Sequence, residues 1–178
     1  MATVNLYPNG THSNNFTLST GSAAHLLLTD DSSTPAGDSN YLSATTSGKT
    51  CYLTLDDFTE DHSSIDGVQI VLRAGNGARA KTYEIETKLL PAGLGAAYYT
   101  ESTGIENSNR FYLTHTFTNR TTTDGSTAWN NTLIDALRLY VKLDGISGGT
   151  FQFTQAYVIV TYTEPLATDN AIFFGTNF

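Results

Sequence analysis

Apolar and polar residues alternate with a period of two along most of this chain, and clusters of Gly, Asn, Ser and Pro interrupt the alternation every ten residues or so. The pattern predicts short strands over 3–7, 15–19 and 25–29, with turns at Pro8-Asn9-Gly10 and Thr20-Gly21-Ser22. A polar loop from Asp30 to Asn40 leads to strands over 41–44 and 50–55, joined through Ser47-Gly48. In the next strand Val68, Ile70 and Leu72 share one face, and in the one over 79–89 Tyr83 and Ile85 alternate with Glu84 and Glu86. Short strands over 97–100 and 110–117 follow, the latter with Phe111, Leu113, His115 and Phe117 on one side. Leu137, Leu139, Val141 and Leu143 then alternate against Arg138, Tyr140 and Lys142. In the last strand, over 150–163, Phe151 and Phe153 are odd while Ala156, Val158, Val160 and Tyr162 are even. Either a β-bulge near Thr154-Gln155 or burial on both faces reconciles the two phases. A single helical turn is expected over 129–136, where Leu133, Ala136 and Leu137 fall on one face.

So many short strands predict an all-β fold, an antiparallel β-sandwich of jelly-roll type. Its 178 residues suit one domain, taken as 1–165, which buries enough surface to need no disulfide or metal. Pro165 ends the last strand, and 166–178 is expected to be a C-terminal arm that docks a neighbour through Ile172, Phe173, Phe174 and Phe178.

Charge narrows the partners. The net charge of −8 offers no basic stripe for phosphates, so neither nucleic acid nor an anionic membrane is an expected partner. The longest apolar runs fall short of a bilayer span, and the first residues lack the basic start and apolar core of a secretory signal. Cys51, the one cysteine, reads as a small core residue.

Candidate chemistry is sparse, and the expectation is a protein that is not an enzyme and holds no cofactor or metal. Gly37-Asp38-Ser39 matches the nucleophile block of GDSL-type esterases but lacks the preceding strand of an α/β fold, so it reads as a turn. Asp56, Asp57, Glu60, Asp61, His62 and Asp66 form an acidic segment without the ligand order of a calcium loop. His12, His25, His62 and His115 lack zinc spacing. Glu84 and Glu86 could pair for glycoside hydrolysis but lie on the polar face of their strand. Tyr98, Tyr99 and Trp129 are candidates for stacking on a sugar, with Trp129 more readily placed in the core beside Leu133 and Leu137. Gly75-x-Gly77 and Gly93-x-Gly95 are hairpin glycines, and the N-x-[ST] triplets at Asn9, Asn15, Asn119 and Asn130 are no more than composition provides.

The segment Asp124-Gly125-Ser126-Thr127-Ala128-Trp129, followed by Leu133-Ile134-Asp135-Ala136-Leu137 and two long strands closed by a Gly loop, resembles sandwich-fold virion proteins of tailed bacteriophages, in kind the capsid decoration (cement) proteins. That resemblance implies a virion structural protein on the outer capsid surface, released by host lysis. Its expected partners are the major capsid protein or another virion protein and further copies of itself, a trimer being favoured. The alternative is a carbohydrate- or receptor-binding sandwich of a phage tail or fibre.

Overall fold

A computed structural model of the protein describes residues 1–21, 23–28, 40–76, 81–107, 112–123 and 126–166. The chain opens with β1 (Ala2–Leu6), β2 (Pro8–Asn14) and β3 (Thr17–Leu18), then the short helix α1 (Ala24–Leu28). β4 (Leu42–Ala44), β5 (Lys49–Leu55), β6 (Ser64–Asn76), β7 (Lys81–Leu90) and β8 (Tyr99–Asn107) follow. After β9 (Leu113–Thr116) come a minimal hairpin of β10 (Thr122–Thr123) and β11 (Thr127–Ala128), helix α2 (Asn131–Asp135), β12 (Arg138–Ile146) and β13 (Phe151–Thr163).

The strands form two antiparallel sheets. Sheet I runs β3-β4-β13-β6-β9, with β1 also paired to β13, and sheet II runs β2-β5-β12-β7-β8. Within this order, four strands of each sheet (β4-β13-β6-β9 and β5-β12-β7-β8) carry the double Greek key of a jelly roll. The chain steps between sheets at every link from β4 to β7, stays in sheet II for β8, and then crosses to β9, β12 and β13 in turn. Among these eight strands, every link but β7–β8 therefore crosses from one sheet to the other.

Alternation explains which face each strand buries. Cys51, Leu53 and Leu55 of β5, Ile85 and Leu89 of β7, and Leu139, Val141 and Leu143 of β12 all point inward. They meet Val68, Ile70 and Leu72 of β6 and Val158 and Val160 of β13. Phe151 and Phe153 close one end of the core, with Phe16 and Tyr83 packed on their rings at centroid separations of 4.8–6.2 Å. Each such side chain contributes about 1.5–3 kcal/mol of hydrophobic stabilisation on burial.

The phase change in β13 is a bulge. Its pairing with β6 slips between Phe153 and Gln155, which returns Ala156, Val158 and Val160 to the inner face. Gly48, Gly148 and Gly149 occupy positive φ in the turns before β5 and before β13, where a side chain would be strained.

Four local expectations need correction. Residues 25–29 were expected to form a strand, but 24–28 are helix α1. Ala24, Leu27 and Leu28 are buried while Leu26 is 60% exposed, the i, i+3, i+4 spacing of a helix rather than the alternation of a strand. The Pro8-Asn9-Gly10 turn is instead the start of β2, which tolerates Pro because it is an edge strand and slips register at Pro8/Gly10 and again at Thr11/Ser13. The strand expected over 97–100 begins at Tyr99 and continues to Asn107 along β7. Leu113 in β9 is 46% exposed rather than core, since β9 is the edge of sheet I.

The expected turn over 129–136 contains α2. Asn130 caps it, its side chain accepting from the Leu133 N–H at 3.1 Å. The arm residues Ile172, Phe173, Phe174 and Phe178 lie outside the described residues, as do Gly37-Asp38-Ser39 and Phe111.

Candidate functional site

The outer face of sheet II gathers the most distinctive chemistry on the described surface. Tyr52 sits between the fully buried Cys51 and Leu53, so the alternation of β5 turns its ring outward. Tyr140 lies likewise between Leu139 and Val141, and Lys88 between Thr87 and Leu89. The register puts the three side by side: Tyr52 opposes Tyr140 across β5 and β12, and Tyr140 opposes Lys88 across β12 and β7. Thr100 of β8 continues the row.

These neighbours are in contact. The Tyr52 and Tyr140 rings are tilted with centroids 4.7 Å apart, and the Lys88 ammonium lies 5.2 Å from the Tyr140 centroid. The exposed His12 ring of β2 meets Tyr52 edge-on at 6.4 Å. Glu86 holds Lys88 at 3.0 Å, and Asp144 holds Lys142 at 2.6 Å. Thr50, Lys142, Glu86 and Ser102 form the adjacent row.

The result is graded from floor to lip. Tyr140 is only 6% exposed and forms the floor. Tyr52 is partly exposed and His12 more so, and the charged pairs stand around them. Burial first, then Tyr52, Glu86 and Asp144, push the Tyr140 phenol up to about 12. It therefore stays a neutral hydrogen-bonding group at ordinary pH. An apolar ring surface bordered by fixed donors and acceptors suits a ligand that alternates C–H faces with hydroxyl groups.

The residues singled out from sequence fare differently. Trp129 is a core residue, 4% exposed, with its Nε1–H donating to the Arg120 carbonyl at 2.8 Å and Tyr98 packed edge-on at 6.0 Å. Tyr99 is buried, and the Arg120 guanidinium covers its ring at 4.1 Å. Neither buried ring offers an open stacking face. Glu84 and Glu86 share the outer face of β7, where Glu86 is engaged by Lys88.

In the acidic segment the loop is tied down by Phe58. Its ring is buried against Tyr162 and His62, and its N–H donates to Asp135 at 2.9 Å. Asp66 accepts from Thr163 at 2.6 Å and Ser64 at 2.7 Å, which holds its carboxyl below the usual range. Among the described residues no group of three His, Cys, Asp or Glu side chains could hold a metal ion. Cys51 is fully buried, and desolvation pushes its thiol up to about 12.

Sequence reasoning placed Trp129 in the core but did not single out Tyr52 and Tyr140. The signal was present as two tyrosines in the polar phase of their strands, Tyr52 among Thr50 and Thr54 and Tyr140 between Arg138 and Lys142. Strand order alone makes them neighbours, and strand order is not written in either segment.

No protein-family model matches the chain, and no curated protein does. Solved structures do resemble it. A CBM32 module of AlyQ, in complex with 4,5-unsaturated mannuronic acid, aligns with 88% of this chain and 97% of its own at 14% identity and a TM-score of 0.45. The arabinose-bound MgGH51 α-L-arabinofuranosidase aligns at 16% identity and a TM-score of 0.51, covering 88% of this chain but 26% of the enzyme. A CBM36-1 domain of a multidomain xylanase, from the hindgut metagenome of Trinervitermes trinervoides, gives 8% identity and a TM-score of 0.42 over 92% and 98% of the two chains. At such identities the likeness concerns architecture alone, and the architecture is an all-β sandwich.

Proposed function

We propose that this domain is a non-catalytic binding module whose outer face of sheet II recognises a polysaccharide. The observation that carries the reading is the cross-strand pair of Tyr52 and Tyr140, flanked by His12, Lys88 and Glu86, on the solvent side of the sheet. Aromatic cross-strand pairs stabilise sheets by only about 0.2–1 kcal/mol, so packing gives little reason to turn two phenol rings away from the core. A pyranose ring supplies what such a face lacks, an apolar face for Tyr52 and hydroxyls for Glu86, Lys88 and His12.

The test is binding to an array of plant, algal and bacterial-surface glycans, with Tyr52→Ala as the informative variant because Tyr52 is the more exposed ring. The expected result is selective binding by the parent and about tenfold or greater weakening in the variant, a loss of at least about 1.4 kcal/mol. Equal binding by both proteins overturns the proposal. The capsid-decoration reading rests on the resemblance carried by 124–163, with 166–178 as its docking arm, and has its own test, co-sedimentation with particles after that arm is deleted.

A further inference from the structure

A second cleft lies at the side of the sandwich where both sheets end. β8 is the last strand of sheet II and β9 the last of sheet I, and among the described residues no strand bridges them. Glu101, Thr103, Thr114, His115, Thr116 and Phe117 enclose about 210 Å³ there. Register explains the lining. Glu101 and Thr103 oppose Thr87 and Ile85, both buried on the inner face, so they also face between the sheets. His115 opposes the buried Leu72 and points inward in the same way. These inter-sheet positions would be apolar in a closed sandwich. Here they are a carboxylate, a hydroxyl and an imidazole, above the buried Phe117 ring.

Two of these groups have unused hydrogen-bonding capacity. Both Glu101 oxygens are held in place, one accepting from Thr118 N–H at 3.2 Å and lying 3.8 Å from the Arg120 guanidinium, the other accepting from Thr118 Oγ1 at 3.1 Å. A carboxylate accepts about four hydrogen bonds, so it retains capacity. The Nε2 atom of His115 is buried and has no hydrogen-bond partner. Buried polar atoms nearly always have one, and an unmet one costs about 1–3 kcal/mol. Burial also holds this imidazole below its ordinary pKa, which keeps it neutral at physiological pH.

We infer that this edge cleft is a separate subsite for a single neutral sugar ring, bound through Glu101, Thr103 and His115 over Phe117. A ligand hydroxyl can donate or accept, so it can serve Nε2 in either tautomer once the half-buried imidazole turns this atom toward the cleft. An anionic ligand would face the Glu101 carboxylate. The volume is below the roughly 300–1,000 Å³ of ordinary ligand pockets, which favours one ring over a chain. The inference deepens the glycan reading by assigning recognition of a terminal residue, but it uses different residues from the sheet face.

The experiment follows the imidazole signals of His115 by NMR during titration of the full chain with methyl glycosides of glucose, galactose, mannose, xylose and arabinose, and with methyl glucuronoside. At least one neutral glycoside should shift the His115 signals saturably at millimolar concentration. Thr103→Val should weaken that binding about fivefold, the loss of one hydrogen bond, and Tyr52→Ala should leave it unchanged. Methyl glucuronoside should bind more weakly than its neutral counterpart. Silence of His115 throughout the titration, or abolition of its response by Tyr52→Ala, overturns the inference. A silent His115 alongside Tyr52-dependent polysaccharide binding removes the cleft and leaves the sheet-face proposal standing. A responding His115 with no Tyr52 dependence does the reverse, and no binding by any glycan removes both.

Discussion

Replacing Trp129 with Ala tests whether this side chain is a structural plug. The indole is 4% exposed, packs edge-on against Tyr98, and donates its N–H to the Arg120 carbonyl. Arg120 in turn exchanges both backbone hydrogen bonds with Val68 at 2.9 Å, so the indole helps hold the 117–121 segment against sheet I. Removal deletes the burial and leaves a cavity, which for large aromatics costs about 3–5 kcal/mol. The lost hydrogen bond falls within that range, because the Arg120 carbonyl keeps the Val68 N–H as a partner. For a domain of this size the melting temperature should fall by roughly 6–20 °C. Trp129 is the one tryptophan, so its fluorescence disappears with it. Unfolding in urea should therefore be followed by far-UV circular dichroism, with equal m-values confirming that ΔΔG comes from the midpoint. A destabilisation below about 1 kcal/mol would show that the indole is not integrated into the core, since surface substitutions stay within about 0.5 kcal/mol.

Other outcomes follow from the same structure. The Cys51 thiol should resist a thiol reagent at pH 8 in the native protein and react at the unfolding rate, checked by labelling across a urea series; rapid native labelling contradicts its burial. Its pKa is raised from 9.0 to about 12, so the unfolded chain loses this proton first and stability should fall as pH climbs through that window, by up to roughly 4 kcal/mol. Cys51→Ala should flatten that part of the pH–stability curve, and an unchanged slope assigns the effect to the tyrosines instead. Asp135→Ala removes the acceptor for the Phe58 N–H and should cost about 1.5–3 kcal/mol, with faster proteolysis between 56 and 63 as the local readout. Deleting 167–178 should leave the strand-dominated spectrum intact if β13 completes the sandwich at Thr163, and loss of folding contradicts that.

The fold was legible where burial is one-sided. Leu137–Leu143 and Val68–Leu72 name their inner faces without ambiguity, and the two phases of 151–162 already required a bulge or double burial. It was not legible where an element is short. In 24–28 three consecutive leucines carry no period, and the helix is decided by the bed that β2, β5 and β13 offer it. The sites were hidden for a different reason. Tyr52 and Tyr140 are separated by about half of the chain, and His115 lies about forty residues from the Leu72 it opposes. A jelly roll makes neighbours of distant segments, so its surface chemistry is a property of strand order rather than of local motif. Trp129 drew notice as a rare residue, yet its neighbours made it core.

The position of β13 has a consequence for how the molecule comes into being. It is the last strand among the described residues and it lies in the middle of sheet I, paired along its length with β6 and on its other side with both β4 and β1, so that Ala2 opposes Tyr162. Until this strand arrives, β1, β4 and β6 lack the partner that joins them, and their apolar inner faces have nothing to close against. A chain emerging from the ribosome at about 5–20 residues per second therefore spends several seconds after β6 before the two parts of sheet I, β3-β4 and β6-β9, can be joined. Such topology, dominated by contacts between distant residues, folds in the millisecond-to-second range rather than in microseconds. The same arrangement makes the finished sandwich hard to unzip from β13, because this strand cannot leave without breaking its pairing with β1, β4 and β6 together.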